Sequence, residues 1–321
     1  MSTHRYDREF ETAAKAFLQQ KAPVFTTPTE IRALNEQFLP EIMKGYPVVQ
    51  GIEQTPFNVK SYDGESVQLT RFASPAALAS ATPAPAVLFI HGGAMVAGSV
   101  KVYGPQIAYL AHRTGFPIFG IDWRLAPEHP APVGMEDCYA ALSWISRNGQ
   151  ELNVDASKLV VMGDSAGGLL SASTALMARD RQLSPPLAKQ VLIYPTLDDR
   201  IDFTENDPRR DLLLWRPSDS AAIWKAYLDN DKAGTEEAVV AENTVPQRIR
   251  SLGGLPSTYI DVGTLDFFMD EILTYTQRLV SAGVEVELHT LPGLPHGWEL
   301  AGGIGWFERA MDLRVAAIKR V

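Results

Sequence analysis

Apolar residues follow two rhythms along this chain, and the change between them divides it. From Ala86 onward, short buried-looking runs alternate with stretches whose apolar residues recur at helical spacing. The runs predict strands at Val87–Ile90, Pro117–Asp122, Leu159–Met162, Gln190–Tyr194, Thr258–Val262 and Glu285–Leu291. The stretches between them predict helices over 103–113, 133–147, 166–179, 268–281 and 304–318. Such alternation argues for a parallel sheet wrapped by helices on both faces.

Ahead of this region the pattern differs. Residues 7–20 carry Phe10, Ala13, Ala14, Phe17 and Leu18 on one helical face. Thr27-Pro28-Thr29-Glu30 is a capping box with proline at the first helical position, opening a second helix with Ile31, Leu34, Phe38 and Ile42 on its apolar side. Asp63-Gly64 joins two alternating runs, Phe57–Tyr62 and Ser66–Phe72, as a hairpin. Ser74–Ala86, rich in Ala, Pro and Ser, predicts a loose connection. The α/β rhythm breaks again at about 198–250, where only Ser218–Leu228 suggests a helix. The expected organisation is one domain over 1–321, with cap segments at about 1–50 and 198–250 lying outside the sheet.

Composition narrows the partners. A net charge of −9 argues against nucleic acid, whose phosphates require clustered Lys and Arg. The single cysteine, Cys138, forbids an internal disulfide and is expected inside a helix as a small hydrophobe. No apolar run reaches the ~18 residues of a membrane span. Met1 to Arg8 is polar, without a signal-like apolar region behind it. A soluble, cytoplasmic protein is the expectation.

The chemistry centres on Val160-Val161-Met162-Gly163-Asp164-Ser165-Ala166-Gly167-Gly168. An apolar run, Gly-x-Ser-x-Gly and a helix start have the form of a nucleophile elbow, in which a sharp strand-to-helix turn isolates one hydroxyl. A serine nucleophile needs a base, an orienting acid and an oxyanion hole, and in a parallel sheet these converge at the carboxyl ends of strands. His4 lies in the tail, His112 on a helix and His289 in a strand. Of the loop histidines His91, His129 and His296, the last follows the final strand between Pro and Gly residues. It also comes after the serine in the order α/β-hydrolases require. For the acid, Asp261 lies within a strand and Asp270 and Glu271 in the next helix, which leaves Asp266 at the strand exit. Capping that helix is the other role Asp266 could have. The oxyanion donors are expected in His91-Gly92-Gly93-Ala94-Met95 and at Ala166, just after the serine.

Taken in order, four motifs resemble the hormone-sensitive-lipase-like esterase family of the α/β-hydrolase fold. They are His91-Gly92-Gly93-Ala94, Asp122-Trp123-Arg124-Leu125-Ala126-Pro127-Glu128, Gly163-Asp164-Ser165-Ala166-Gly167-Gly168, and Asp266…His296-Gly297, within roughly residues 85–300. The resemblance implies Ser165 as nucleophile, Asp266 as acid, His296 as base, and the amides of Gly93, Ala94 and Ala166 as oxyanion donors. It gives His91, Arg124 and Glu128 structural roles, the last two as a buried pair. Where the family usually has a third glycine, this chain has Ala94. The implied activity is hydrolysis of small to medium carboxylic esters through an acyl-enzyme, with neither metal nor organic cofactor. A lactonase, amidase or acyltransferase would use the same residues, and a silent ligand-binding homologue would lack one of them. Expected partners are a small-molecule ester and, in a homodimer, a second copy of the chain.

Overall fold

A computed structural model describes residues 4–19, 27–200, 203 and 207–321. Its centre is an eight-stranded sheet in the order β1-β2-β4-β3-β5-β6-β7-β8. The strands are β1 (Glu53–Lys60), β2 (Ser66–Ala73), β3 (Ala84–Ile90), β4 (Ile118–Asp122), β5 (Val154–Asp164), β6 (Lys189–Ile193), β7 (Ser257–Gly263) and β8 (Val286–Leu291). The hairpin β1–β2 is antiparallel and joins β4 antiparallel, whereas every pair from β4 to β8 runs parallel. Parallel strands need cover on both faces, which explains their near-continuous apolar runs. Val87 to Ile90, Val160 to Met162 and Val191 to Ile193 are all buried. This is the α/β-hydrolase fold.

The helices are α1 (Arg8–Ala13), α2 (Lys15–Leu18), α3 (Pro28–Met43), α4 (Pro75–Leu78), α5 (Val100–Thr114), α6 (Val133–Arg147), α7 (Gly149–Leu152), α8 (Ala166–Asp180), α9 (Pro217–Leu228), α10 (Met269–Ser281) and α11 (Gly305–Lys319). Around the sheet, α6 packs on α8 and α11 on α5. Cys138 lies fully buried within α6. No helix among the described residues is long and apolar enough to cross a membrane.

Several boundaries depart from the sequence pattern: β1 begins four residues early, at Glu53, and β5 five residues early, at Val154. The expected helix over 7–20 is two pieces, because the chain turns at the buried Ala14, and its last residue lies outside the described ones. Helix α5 starts a turn early, since the Ser99 hydroxyl caps it by accepting from the Val102 amide. The expected loose connection over 74–86 contains α4, capped by Ser74, and already enters β3 at Ala84.

Helix α3 forms with the capping box its sequence announced: the Thr27 hydroxyl accepts from the Glu30 amide and Glu30 accepts from the Thr27 amide. It packs against α5, α9 and the turn at Trp298–Leu300, placing it over the carboxyl edge of the sheet. The remainder of the expected cap segments, 1–3, 20–26, 201–202 and 204–206, lies outside the described residues.

Candidate active site

Strand order creates the site. β5 lies beside β3, with Gly163 paired to Ile90, so the turn after β5 abuts the loop after β3. β7 lies beside β8 one strand further on, so their exits meet the same edge.

At the end of β5 the chain reverses into α8 through Ser165, whose φ of 54° and ψ of −117° lie far from ordinary helix or strand values. Such a conformation costs about 1–3 kcal/mol and persists only where the surroundings enforce it. They do so by close packing. A side chain at Gly163 would collide with the carbonyl of Gly167, and one at Gly167 with the carbonyl of Ile90. The Ser165 amide is held by the Ile193 carbonyl at 2.9 Å, which ties the turn to β6.

His296 Nε2 lies 2.9 Å from Ser165 Oγ, and its Nδ1 lies 2.9 Å from Asp266 Oδ2. Asp266 is fully buried and its other oxygen accepts from the Phe268 amide at 2.9 Å. The two roles weighed for Asp266 are therefore not alternatives, since one oxygen fixes the turn ahead of α10 while the other faces the imidazole. The helix itself starts with Phe268, not Asp266, at its cap position. The neighbouring acids are engaged elsewhere: Asp270 pairs with Arg209, Glu271 accepts from the Leu197 amide, and Asp261 pairs with Arg314.

Burial acts to depress the His296 imidazolium, but the Asp266 carboxylate outweighs it with help from the charges of Glu299 and Asp164. The histidine pKa stands above its ordinary value. The ring is also boxed in by aromatic edges, with the Tyr194 centroid at 4.8 Å and the Phe268 centroid at 5.0 Å. Beside the serine, burial pushes the Asp164 carboxyl up to about 7. One of its oxygens accepts from Tyr103 at 3.1 Å and the other has no hydrogen-bond partner.

The loop after β3 folds back with Gly93 at φ 119°, Ala94 at 55° and Met95 at 58°. Among the described residues the Gly93 and Ala94 amides donate to no backbone acceptor. Ala166 is the first residue of α8, so its amide has no acceptor within that helix. His91 braces this loop as expected, with Nδ1 2.8 Å from the Gly92 carbonyl and its ring stacked on Trp123.

The pairing of Arg124 with Glu128 is incorrect. Arg124 grips the buried Asp137 of α6 and Asp63 of the hairpin turn, while Glu128, largely exposed, pairs with Arg32 of α3. The cause is direction: Arg124 lies next to β4 and faces the hairpin, whereas Glu128 lies four residues on, under α3. Arg32 itself escaped notice in the sequence, where it is one charged residue on a helix face. It donates to the carbonyls of Val96 and Ala126 at 2.6 and 2.7 Å and so fastens α3 to the loop carrying Gly93 and Ala94.

Two connected cavities open here. The inner one, about 100 Å³, touches Ser165, Gly93 and Ala94 and is walled by Tyr46, Tyr103 and Trp224. The outer one, about 340 Å³, reaches His296 but not Ser165 and is lined by Phe17, Leu34, Phe38, Leu213 and Leu214. Of the cap aromatics, Trp224 is thus a buried wall, while Phe17 and Phe38 meet edge to face at 5.2 Å on the outer cavity.

Residues 87–300 match the alpha/beta hydrolase fold family. The chain is 34% identical over 238 residues to esterase LipI of Mycobacterium tuberculosis, spanning 73% of this chain and 72% of LipI. It is 35% identical over 246 residues to carboxylesterase NlhH of the same species, spanning 74% and 73%. A bacterial heroin esterase of known structure superposes with a TM-score of 0.86 at 32% identity, covering 98% of this chain and 97% of that one. The chain belongs to the hormone-sensitive-lipase-like family of the α/β-hydrolase fold and is a carboxylesterase of the serine-hydrolase type.

Proposed function

We propose that Ser165 is the nucleophile, His296 the general base and then acid, and Asp266 the group that orients it. The observation that carries this reading is the unbroken relay Asp266–His296–Ser165, both links 2.9 Å, ending on a hydroxyl held in a strained turn. In acylation His296 takes the Ser165 proton as Oγ attacks the ester carbonyl. The oxyanion is held by the amides of Gly93, Ala94 and Ala166, each lowering the barrier by on the order of 3 kcal/mol. The carbon–oxygen bond then breaks, and His296 returns the proton to the departing alcohol. Water repeats the sequence on the acyl-enzyme and releases the acid.

The cavities support a finer reading of the substrate. His296 lines both cavities, but Ser165, Gly93 and Ala94 line only the inner one, so the acyl group is placed in the smaller inner cavity and the alcohol in the outer, apolar one. The preferred substrate is then a short-chain acyl ester of a larger apolar alcohol. The cap segments, about 1–50 and 198–250, shape the alcohol side, where Phe17, Phe38 and Leu214 line the outer cavity. The lone, buried Cys138 suits a reducing compartment such as the cytoplasm.

The test is covalent. An organophosphonate should label the native enzyme at Ser165, and Ser165→Ala should remain folded, take no label and lose ester hydrolysis by several orders of magnitude. A folded Ser165→Ala enzyme with near-normal turnover overturns the assignment.

A further inference from the structure

Beneath the active site lies a buried charged chain that the acyl-transfer steps do not use. Arg314 of α11 is fully buried and holds both oxygens of Asp261 in β7, at 2.6 and 2.8 Å. It also donates to Glu299 Oε1 at 2.9 Å. The second oxygen of Glu299 accepts from the Tyr194 hydroxyl at 2.9 Å. Tyr194 in turn leaves β6 with φ at 31°, pinned by its own amide to the Asp261 carbonyl at 2.7 Å, and sets its ring against the His296 imidazole.

Two features make this more than structural filling. Two carboxyl groups, Asp261 and Glu299, share the single guanidinium of Arg314, all three buried, and Glu299 lies only three residues beyond His296. Buried ions need compensation, and an apolar cluster could pack the same space at lower desolvation cost. The chain also ends on the base itself. Removing water weakens screening, so a carboxylate near an imidazole favours its protonated form even without contact.

We propose that Glu299 is a positioning residue for ester hydrolysis. Through Tyr194 it fixes the plane of the His296 ring between Ser165 and Asp266, and through its charge it stabilises the imidazolium that forms as Ser165 attacks. Asp266 is the near carboxylate, bonded to the ring, and Glu299 the remote one. The other groups facing His296 are Asp164 and Ser165 from the β5 turn and Phe268 beside Asp266. Facing Glu299 are Arg314, Tyr194, Tyr46, Tyr103 and Asp164, and Tyr259 donates to Asp261 at 3.0 Å.

The sign of the pH effect follows. The enzyme acts with His296 neutral at the start, so activity falls as pH drops through the pKa of the imidazole, which negative neighbours raise. Neutralising Glu299 lowers that pKa and moves the acid limb of the profile to lower pH. Asp164, whose carboxyl is also held up by Glu299, shifts in the same direction.

The experiment measures kcat and KM for phenyl acetate against pH by pH-stat, on the full chain and on Glu299→Gln, Glu299→Asp and Tyr194→Phe. Gln keeps the shape of Glu299 and an acceptor for Arg314, its amide nitrogen donating to the Tyr194 oxygen in place of the accepted bond, and leaves Arg314 matched by Asp261. The acid limb should fall by about half a pH unit or more in Glu299→Gln, with kcat down on the order of 10-fold and KM little changed. Glu299→Asp, which retains the charge, should keep the limb in place while lowering kcat. Tyr194→Phe, which retains the ring but frees Glu299, should lower kcat at unchanged KM. An unmoved limb with wild-type kcat in Glu299→Gln overturns the proposal. If that variant does not fold, wild-type kcat in Tyr194→Phe overturns it instead. The inference rests on His296 as the base. Ser165→Ala assayed alongside keeps the two separable, because its silence upholds the relay whether or not Glu299 matters.

Discussion

The floor of the active site and its roof are made of different material. On the floor, Ser165, Asp266 and His296 hang from the ends of β5, β7 and β8, and each is fixed by a further bond or ring contact: Ser165 to the Ile193 carbonyl, Asp266 by the Phe268 amide, and His296 against the Tyr194 ring. Above them α3, α9 and residues 213–216 present mostly half-buried side chains. They are attached through a few polar clamps, such as Arg32 on the Val96 and Ala126 carbonyls and the Tyr6 hydroxyl on the Leu212 carbonyl. A floor whose parts brace one another is sensitive to single changes by orders of magnitude. A roof of interchangeable apolar surfaces adjusts by small increments and can redirect selectivity without touching the chemistry.

The largest expected effect tests the floor. Asp266→Asn should lower kcat by about 10⁴, because the amide favours the wrong imidazole tautomer. Asp270→Asn, which releases only the partly exposed partner of Arg209, should lie within a few-fold of wild type. If Asp270→Asn were the crippling change, the acid has been misassigned. The roof calls for a gentler measurement, using the isomeric esters hexyl acetate and ethyl hexanoate. Wild-type kcat/KM should favour hexyl acetate by roughly 10-fold, the value of about two methylenes properly housed. Leu34→Trp, filling the outer cavity, should erase that preference while leaving ethyl acetate nearly unaffected. A preference for ethyl hexanoate, or equal losses on all three esters, would reverse the acyl and alcohol sides or reduce the roof to a support.

The smallest effect lies at the seam between the two regions. Ala94 stands at φ 55°, in the left-handed region where a β-carbon costs ~1–2 kcal/mol. Ala94→Gly relieves that strain but frees the unfolded chain by roughly 0.5–1 kcal/mol, so stability should rise by no more than about 1.5 kcal/mol. The missing methyl should instead raise activity on a tertiary-alcohol ester relative to phenyl acetate. A uniform fall across substrates would assign Ala94 to loop rigidity.

What was legible in the sequence follows the same division. Strand ends carry short motifs whose spacing is forced by geometry, so the Gly163–Gly168 elbow, Asp266 at a strand exit and His296 after the last strand could each be read from one segment. The parallel core was legible because its central runs are mostly apolar. The partners of Arg124 and Glu128 were not, since they depend on which distant element covers each charge, and Asp63, Asp137 and Arg32 lie far away along the chain. Arg314, Asp261 and Glu299 were hidden for the same reason. Three charged residues on three separate elements look solvated until the fold buries them together. Asp266 shows a subtler limit, because a carboxylate has two oxygens and a sequence pattern cannot assign them separately.

The attachment of the first residues has a consequence for how the molecule is made. The Asp7 amide bonds to the Gly293 carbonyl, and Glu9 receives the Gly305 amide at 2.6 Å. Residues 7–9 can therefore reach these partners only once residues 293–305 have been synthesised. β8 and His296 also follow the β5 turn by more than 120 residues, so the proposed nucleophile is made well before its proposed base. Non-local closure of this kind is slow relative to local helix formation. Docking of α1 and assembly of the Asp266–His296–Ser165 relay thus both wait on the same stretch, the one that follows β8.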